Sequence, residues 1–373
     1  MKIINYISRF IVGAVFIFSG TVKAIDPLGS VYKFQDYFTA FNIGFLDDLS
    51  LLMAVILCSL EFLAGFSVLF NIRFKAGIWT VMLLMIVFTP LTFILALTNP
   101  VSDCGCFGDA VHLTNWQTFF KNIILLVPAV WLFINRNKIT SATGKARGWA
   151  LLSIFAAFFL AFIFYNLRYL PVIDFLPYKI GTHIPDKMII PEGMPSDVYE
   201  TTFIYEKNGE RKEFNLNNYP ANDTTWKFVD QKSVLLSKGY LPPIHDFVLT
   251  STNSEDLTQQ ILTSEKYTLL MVARRLEETD PELLLQGYET GTFCLKNLID
   301  FYVLTASTSD VIRNKDNGLK YCMVDEITLK TMVRSNPGYL LLKEGTILHK
   351  WSWANIPDKE EILKITTDTN SIN

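Results

Sequence analysis

At 373 residues, half of them hydrophobic, 14% aromatic and only 18% charged, the chain has a mean hydropathy of +0.27. That excludes an ordinary soluble globular protein and points to a membrane class. The formal net charge of −3, without a sustained Lys/Arg patch interleaved with aromatics, argues against a nucleic-acid partner.

In chain order, five apolar runs are long enough to cross a lipid bilayer as helices, over about 4–24, 49–71, 76–98, 117–135 and 149–167. The first follows Lys2 and could pass for a signal peptide. Four further spans and the lack of a small-residue cleavage site make us expect it to be retained. Arg73 and Lys75 follow the second run, and Arg136, Lys138, Lys145 and Arg147 follow the fourth, whereas the 99–116 connector has no Lys or Arg. The positive-inside rule then places the N-terminus in the cytoplasm, with the 99–116 connector and everything after the fifth span outside. Arg9 and Glu61 lie inside spans at depths that differ by only about 5 Å, so they could pair as a clamp or line a polar site. An unpaired charge there costs at least about 2.5–3.5 kcal/mol.

The 99–116 connector contains Asp103-Cys104-Gly105-Cys106-Phe107-Gly108-Asp109. Two thiols one residue apart can close only a strained disulfide, which suits exchange better than structure. Thiol exchange, structural packing and metal capture with His112 are the competing uses. The last is one ligand short and matches no strong zinc spacing. Asp103 and Asp109 should raise the thiol pKa and slow attack. Cys58, mid-span, reads as a small packing residue.

Helix one carries SRFIVGAVFIFSGTVKAIDP, helix two SLEFLAGFSVLF, and DCGCFGD leads straight into the fourth helix. Over about residues 1–137 this resembles the DoxX-like superfamily, specifically MauE-type (methylamine utilisation) membrane proteins, a four-helix fold similar to the vitamin K epoxide reductase and DsbB group. The resemblance implies a bacterial inner-membrane protein that helps periplasmic proteins acquire disulfides or a redox cofactor, with a membrane quinone as a conceivable electron sink. It puts Cys104 and Cys106 at the loop motif and Arg9, Lys23 and Glu61 at intramembrane polar positions. Unlike DsbB, the chain has no CxxC and no second cysteine pair in the 25–48 connector, so a relay through two disulfides is not supported.

After a Pro- and aromatic-rich linker, residues 198–236 alternate as a small antiparallel sheet, with Asn208-Gly209 as a hairpin turn. From about residue 240, buried-type strands at 267–273 and 298–306 alternate with helical stretches at 281–297 and 326–334, the pattern of an α/β domain. With GYLPPIHDFVL at its start and Asn336-Pro337 before a strand and a glycine turn, residues 240–367 resemble a thioredoxin-like fold of the TlpA or redoxin sort. The resemblance makes Asn336 and Pro337 partner-binding positions. Where that family places its CxxC, this chain has Arg274-Arg275-Leu276-Glu277-Glu278. Cys294 and Cys322 are buried thiols or, in an oxidising compartment, a disulfide. His183, His245 and His349 lack ligand-like spacing.

The expected architecture is therefore an α-helical transmembrane bundle (1–137), a cytoplasmic loop and fifth span (138–170), a linker with a small β region (171–239), and a thioredoxin-like α/β domain without CxxC (240–373). The expected partners are the lipid bilayer and extracytoplasmic client proteins. The leading role is thiol redox maturation through Cys104 and Cys106. A non-catalytic assembly factor or a quinone-linked oxidoreductase subunit stands as the alternative.

Overall fold

A computed structural model describes residues 2–101, 103–195, 198–216, 218–220, 223–237, 239–315 and 317–368. The chain forms two compact units, one of residues 1–181 with 248–373 and one of residues 182–247.

In the first unit, five helices among the described residues are long and apolar enough to cross a membrane: α1 (Lys2–Ile25), α3 (Ser50–Leu69), α4 (Phe74–Thr98), α5 (Asn115–Ile134) and α6 (Lys145–Arg168). Each lies within a few residues of its predicted run. Between the first two sits α2 (Pro27–Ala40), which the hydropathy pattern leaves as a plain connector. Its start has a local cause: Asp26 accepts the Gly29 N–H at 2.9 Å, and Pro27 occupies the first turn, where its missing N–H costs nothing.

The helix α1 packs against α3 through glycines. A Cβ on Gly20 would come within 2.6 Å of the Phe62 backbone nitrogen, one on Gly65 within 2.6 Å of Ile17 N, and one on Gly13 within 2.6 Å of Leu69 Cβ. Small residues at these levels let the two backbones approach, the usual device where lipid removes the hydrophobic drive between helices. Val12, Phe16, Val68, Ile78, Val81, Leu125 and Leu132 fill the bundle interior.

The same unit contains a six-stranded sheet of β4 (Thr250–Ser251), β5 (Thr268–Val272), β6 (Asp300–Thr305), β7 (Lys320–Met323), β8 (Gly338–Lys343) and β9 (Thr346–Ser352), in the order β4-β7-β6-β5-β8-β9. Strands β5, β6 and β7 run parallel, and the β8-β9 hairpin joins antiparallel to β5. Helix α9 (Pro281–Lys296) crosses from β5 to β6, and α11 (Glu326–Met332) leads from β7 to β8. The Asn336–Pro337 peptide is cis. This is the topology of a thioredoxin-like α/β domain.

Leu269, Met271, Phe301, Val303, Tyr321, Tyr339 and Leu341 point to one face of the sheet, where they pack with Leu284 and Cys294 of α9. Cys322 follows Tyr321 in β7, so strand alternation turns it to the opposite face. The 294–322 disulfide is therefore not formed. Both thiols are free and buried, and burial pushes each up to about 12.

In the second unit, a short helix α7 (Ile184–Met188) precedes an antiparallel sheet of β1 (Val198–Lys207), β2 (Glu210–Asn215) and β3 (Lys227–Ser237), in the order β2-β1-β3. Asn208 and Gly209 take φ of 55° and 86°, the left-handed pair that a two-residue hairpin requires.

Candidate functional site

The loop after α4 folds back over the bundle. Gly105 and Gly108 adopt φ of 65° and 53°, and Gly108 N–H donates to the Gly105 carbonyl at 3.0 Å. These left-handed turns bring Cys104 Sγ and Cys106 Sγ to 3.0 Å of each other. Asp103 tightens the turn by accepting the Gly105 N–H at 2.8 Å. Helix α2 braces the loop from the side: Lys33 Nζ donates to Asp103 Oδ2 at 3.1 Å, and Tyr37 OH donates to the Cys104 carbonyl at 2.5 Å.

Beneath the loop lies a buried charge cluster. Lys23 Nζ is 2.8 and 2.7 Å from the two Glu61 oxygens and 3.0 Å from Ser19 Oγ. Ser19 Oγ is in turn 2.8 Å from both Glu61 Oε2 and the Cys106 carbonyl. One hydroxyl proton can serve only one of those acceptors at a time, so Ser19 links the state of Glu61 to the backbone of Cys106.

A pocket opens between the loop and the helices. It is lined by Lys23, Glu61, Cys104, Cys106, Lys121 and Asn122 at its polar end and by Val15, Phe16, Leu57, Met85, Phe88 and Leu125 along its walls. Cys104 is buried, and Cys106 is partly exposed. The two sulfurs differ in character. The two sulfurs share one hydrogen bond; with Cys104 as its donor and the Lys121 and Lys23 ammonium groups attracting negative charge, the Cys106 thiol is held down to about 6 against desolvation and the nearby Glu61. Cys104, the donor of that bond, is pushed up, and burial adds to the rise.

This reverses the expectation that the flanking aspartates slow the thiols. Asp103 is engaged by Lys33 and by the Gly105 N–H, and Asp109 lies 2.5 Å from the Arg334 guanidinium. The charges that bear on Cys106 from close by are Lys121 and Lys23, opposed by Glu61. Of the two expected partners in the membrane, Arg9 does not reach Glu61. It donates to the Val68 and Leu69 carbonyls at 3.0 and 2.8 Å, because the antiparallel register of α1 on α3 sets residue 9 against the C-terminal end of α3. Lys23 takes the place expected of Arg9.

The other predicted positions lie elsewhere. Asn336 Oδ1 accepts the Arg274 N–H at 3.0 Å and Thr279 Oγ1 at 3.3 Å, so Asn336 and Pro337 stand beside the end of β5. Cys58 is fully buried in α3. Among the described residues, no three His, Cys, Asp or Glu side chains gather as a metal-holding group.

Ser19, Lys33, Tyr37 and Lys121 went unread as site residues. Only Ser19 left a signal, since Ser19 and Lys23 are spaced i, i+4 on one helix face. The remainder depend on how α2 and α5 pack.

None of the curated proteins matches the chain. Among solved structures, a thiol peroxidase from Chromobacterium violaceum is 13% identical over 35% of this chain and 86% of its own, with a TM-score of 0.28. A putative protein disulfide isomerase from Bacteroides thetaiotaomicron is 14% identical over 34% of this chain and 84% of its own, with a TM-score of 0.26. The mitochondrial 2-cys peroxiredoxin from Plasmodium falciparum is 11% identical over 34% and 92%, with a TM-score of 0.27. Residues 199–238 match a family described as "Domain of unknown function (DUF8463)". Residues 1–135, which carry the cysteine loop and the Lys23–Glu61 pair, match the family described as "Methylamine utilisation protein MauE".

Proposed function

We propose that the protein is a membrane thiol oxidoreductase in which Cys104 and Cys106 cycle between dithiol and disulfide during redox maturation of extracytoplasmic proteins. The observation that carries this reading is the approach of the two sulfurs to 3.0 Å in a pocket that Lys23 and Lys121 also line, cations that help hold the Cys106 thiol down. A low-pKa sulfur is both the thiolate that attacks and the better leaving group in exchange. Closing the disulfide from the Cys106 thiolate and the Cys104 thiol releases two electrons and one proton. Glu61, bridged to the Cys106 carbonyl through Ser19, is the nearest buried carboxylate to take up a proton, with Lys23 balancing its charge. Clients reach the site from the side that the positive-inside rule places outside the inner membrane.

The pocket favours a quinone-linked form of the same chemistry over a purely structural role. Its apolar walls suit a lipid-soluble ring, and Lys121 and the Asn122 amide are donors suited to ring oxygens. A quinone held there would supply the two-electron sink for dithiol oxidation.

Trapping tests the reading. Cys104→Ser and Cys106→Ser should each accumulate a mixed disulfide with an envelope protein on non-reducing gels. If neither does, and both thiols resist a membrane-impermeant alkylating reagent in reduced and oxidised cells, the protein is an anchor or assembly factor instead. Quinone extracted with the purified protein and lost on Glu61→Gln supports the quinone-linked form.

A further inference from the structure

The loop between α11 and β8 reaches from the α/β domain to the membrane helices. Arg334, only 6% exposed, is gripped on every side. Its Nε lies 2.8 Å from Asp26 Oδ2, its Nη2 lies 2.5 Å from Asp109 Oδ2, and its Nη1 donates to the Lys330 carbonyl at 2.6 Å. Asp109 closes the cysteine loop. Asp26 caps α2, the helix that holds the other end of that loop through Lys33 and Tyr37. One guanidinium therefore ties down the far end of the loop and the root of its brace.

The neighbouring contacts repeat the pattern. Arg274, at the end of β5, donates to Tyr32 OH at 2.7 Å, and Arg274, Lys330 and Arg334 stand 5.5, 5.0 and 5.2 Å from the centre of the Tyr32 ring. Three cations of the α/β domain thus converge on α2. Without Arg334, two carboxylates would face each other in a buried site with no cation bridging them.

We propose that Arg334 is a positioning residue for the Cys104–Cys106 pair, and that the α/β domain serves as a built-in clamp on the cysteine loop. A flat, forked guanidinium is the group that can hold two carboxylates at once, and an ammonium cannot replace it geometrically. The proposal deepens the thiol reading, but the loop geometry it invokes does not depend on turnover.

The test is the pH profile of Cys106 alkylation by iodoacetamide in the full chain, in membranes, with the other four cysteines retained and labelling sites assigned by mass spectrometry. Arg334→Ala should move the midpoint up by about one pH unit or more and speed labelling of Cys104 as the loop opens. Arg168→Ala removes a contact between α6 and Trp353 of the α/β domain that touches neither the loop nor α2, and should leave both unchanged. Arg334→Lys, which keeps the charge and loses the fork, should shift the profile in the same direction by less. It serves as the readout if Arg334→Ala does not accumulate. A wild-type profile in the Arg334 variants overturns the clamp, as does an equal shift in Arg168→Ala, which would mark general undocking. Failure of the thiol reading shows separately, as a missing mixed disulfide in a chain whose wild-type profile is intact.

Discussion

The Lys23 ammonium lies 2.7 Å from Glu61 Oε2, with both side chains buried between α1 and α3. A pair in such surroundings is weak evidence for stability as a whole, but removing one member strands the other charge, typically at about 3–5 kcal/mol. Lys23→Met and Glu61→Gln should each lower the aggregation temperature of the detergent-solubilised protein, with the lysine variant the worse because it leaves a carboxylate alone. A Lys23→Met/Glu61→Leu double variant should recover most of the loss while disulfide cycling stays abolished. Single variants as stable as wild type would show that water reaches the pair.

The approach of α1 to α3 sets where that pair meets. A Cβ on Gly20 falls 2.6 Å from Phe62 N and 2.8 Å from the Cys58 carbonyl, both backbone atoms that cannot swing aside. Gly20→Leu should therefore force the helices apart, at a cost of the order of 1–3 kcal/mol, and pull Ser19 and Lys23 off Glu61. The expected outcome is a lower aggregation temperature together with loss of thiol cycling. Retention of both would mean that α1 slides to relieve the overlap.

How much of this was legible depends on what each feature owes to its neighbours in sequence. The five spans stand out because a bilayer demands long apolar runs whatever the packing, and the Asn208-Gly209 hairpin because its backbone demands those residues. Helix α2 stayed hidden because its length and mixed polarity suit a connector, although Asp26-Pro27 is a helix-start signal. Arg9 and Glu61 read as level because depths counted from the run ends assume that the two runs end level, whereas Gly20 packs on Phe62 and Gly13 on Leu69, a stagger that sets Arg9 opposite the end of α3 and brings Lys23 beside Glu61. The Arg334 contacts join residues 308 and 225 positions apart, and no local pattern encodes such a meeting. The effect of the flanking aspartates was misjudged for the same reason: Lys33, Lys121 and Arg334 come from three other elements.

The Cys106 thiol, held down to about 6 chiefly by donation from Cys104, gives alkylation a definite pH dependence. Above that value Cys106 is a thiolate and reacts; below it the sulfur is protonated and labelling falls off. An ordinary thiol would show the same curve near about 8.5. Cys104→Ala removes the donor and should move the midpoint upward, whereas Cys104→Ser, whose hydroxyl can still donate, should keep part of the depression. Lys121→Met removes the next attractive charge and should raise the midpoint by less than Cys104→Ala does. A wild-type midpoint near the ordinary value would remove the main support for Cys106 as the attacking sulfur.

The two basic connectors meet at one end of the bundle. Asn71 Nδ2 donates to the Thr140 carbonyl at 2.7 Å, and Ala142 N–H donates to the Asn71 carbonyl at 2.8 Å, so Arg73, Lys75, Arg136, Lys138, Lys145 and Arg147 cluster along adjoining turns. Each basic residue near an anionic inner leaflet contributes about 1 kcal/mol, and six of them outweigh the single lysine of the 25–48 connector. A reporter that is active only outside the cytoplasm, fused after residue 373, should therefore be active. Replacing all six basic residues with Gln should lower its activity by allowing inverted insertion. A reporter active only in the cytoplasm would turn the cysteine loop toward a reducing compartment, where a disulfide between Cys104 and Cys106 would not persist.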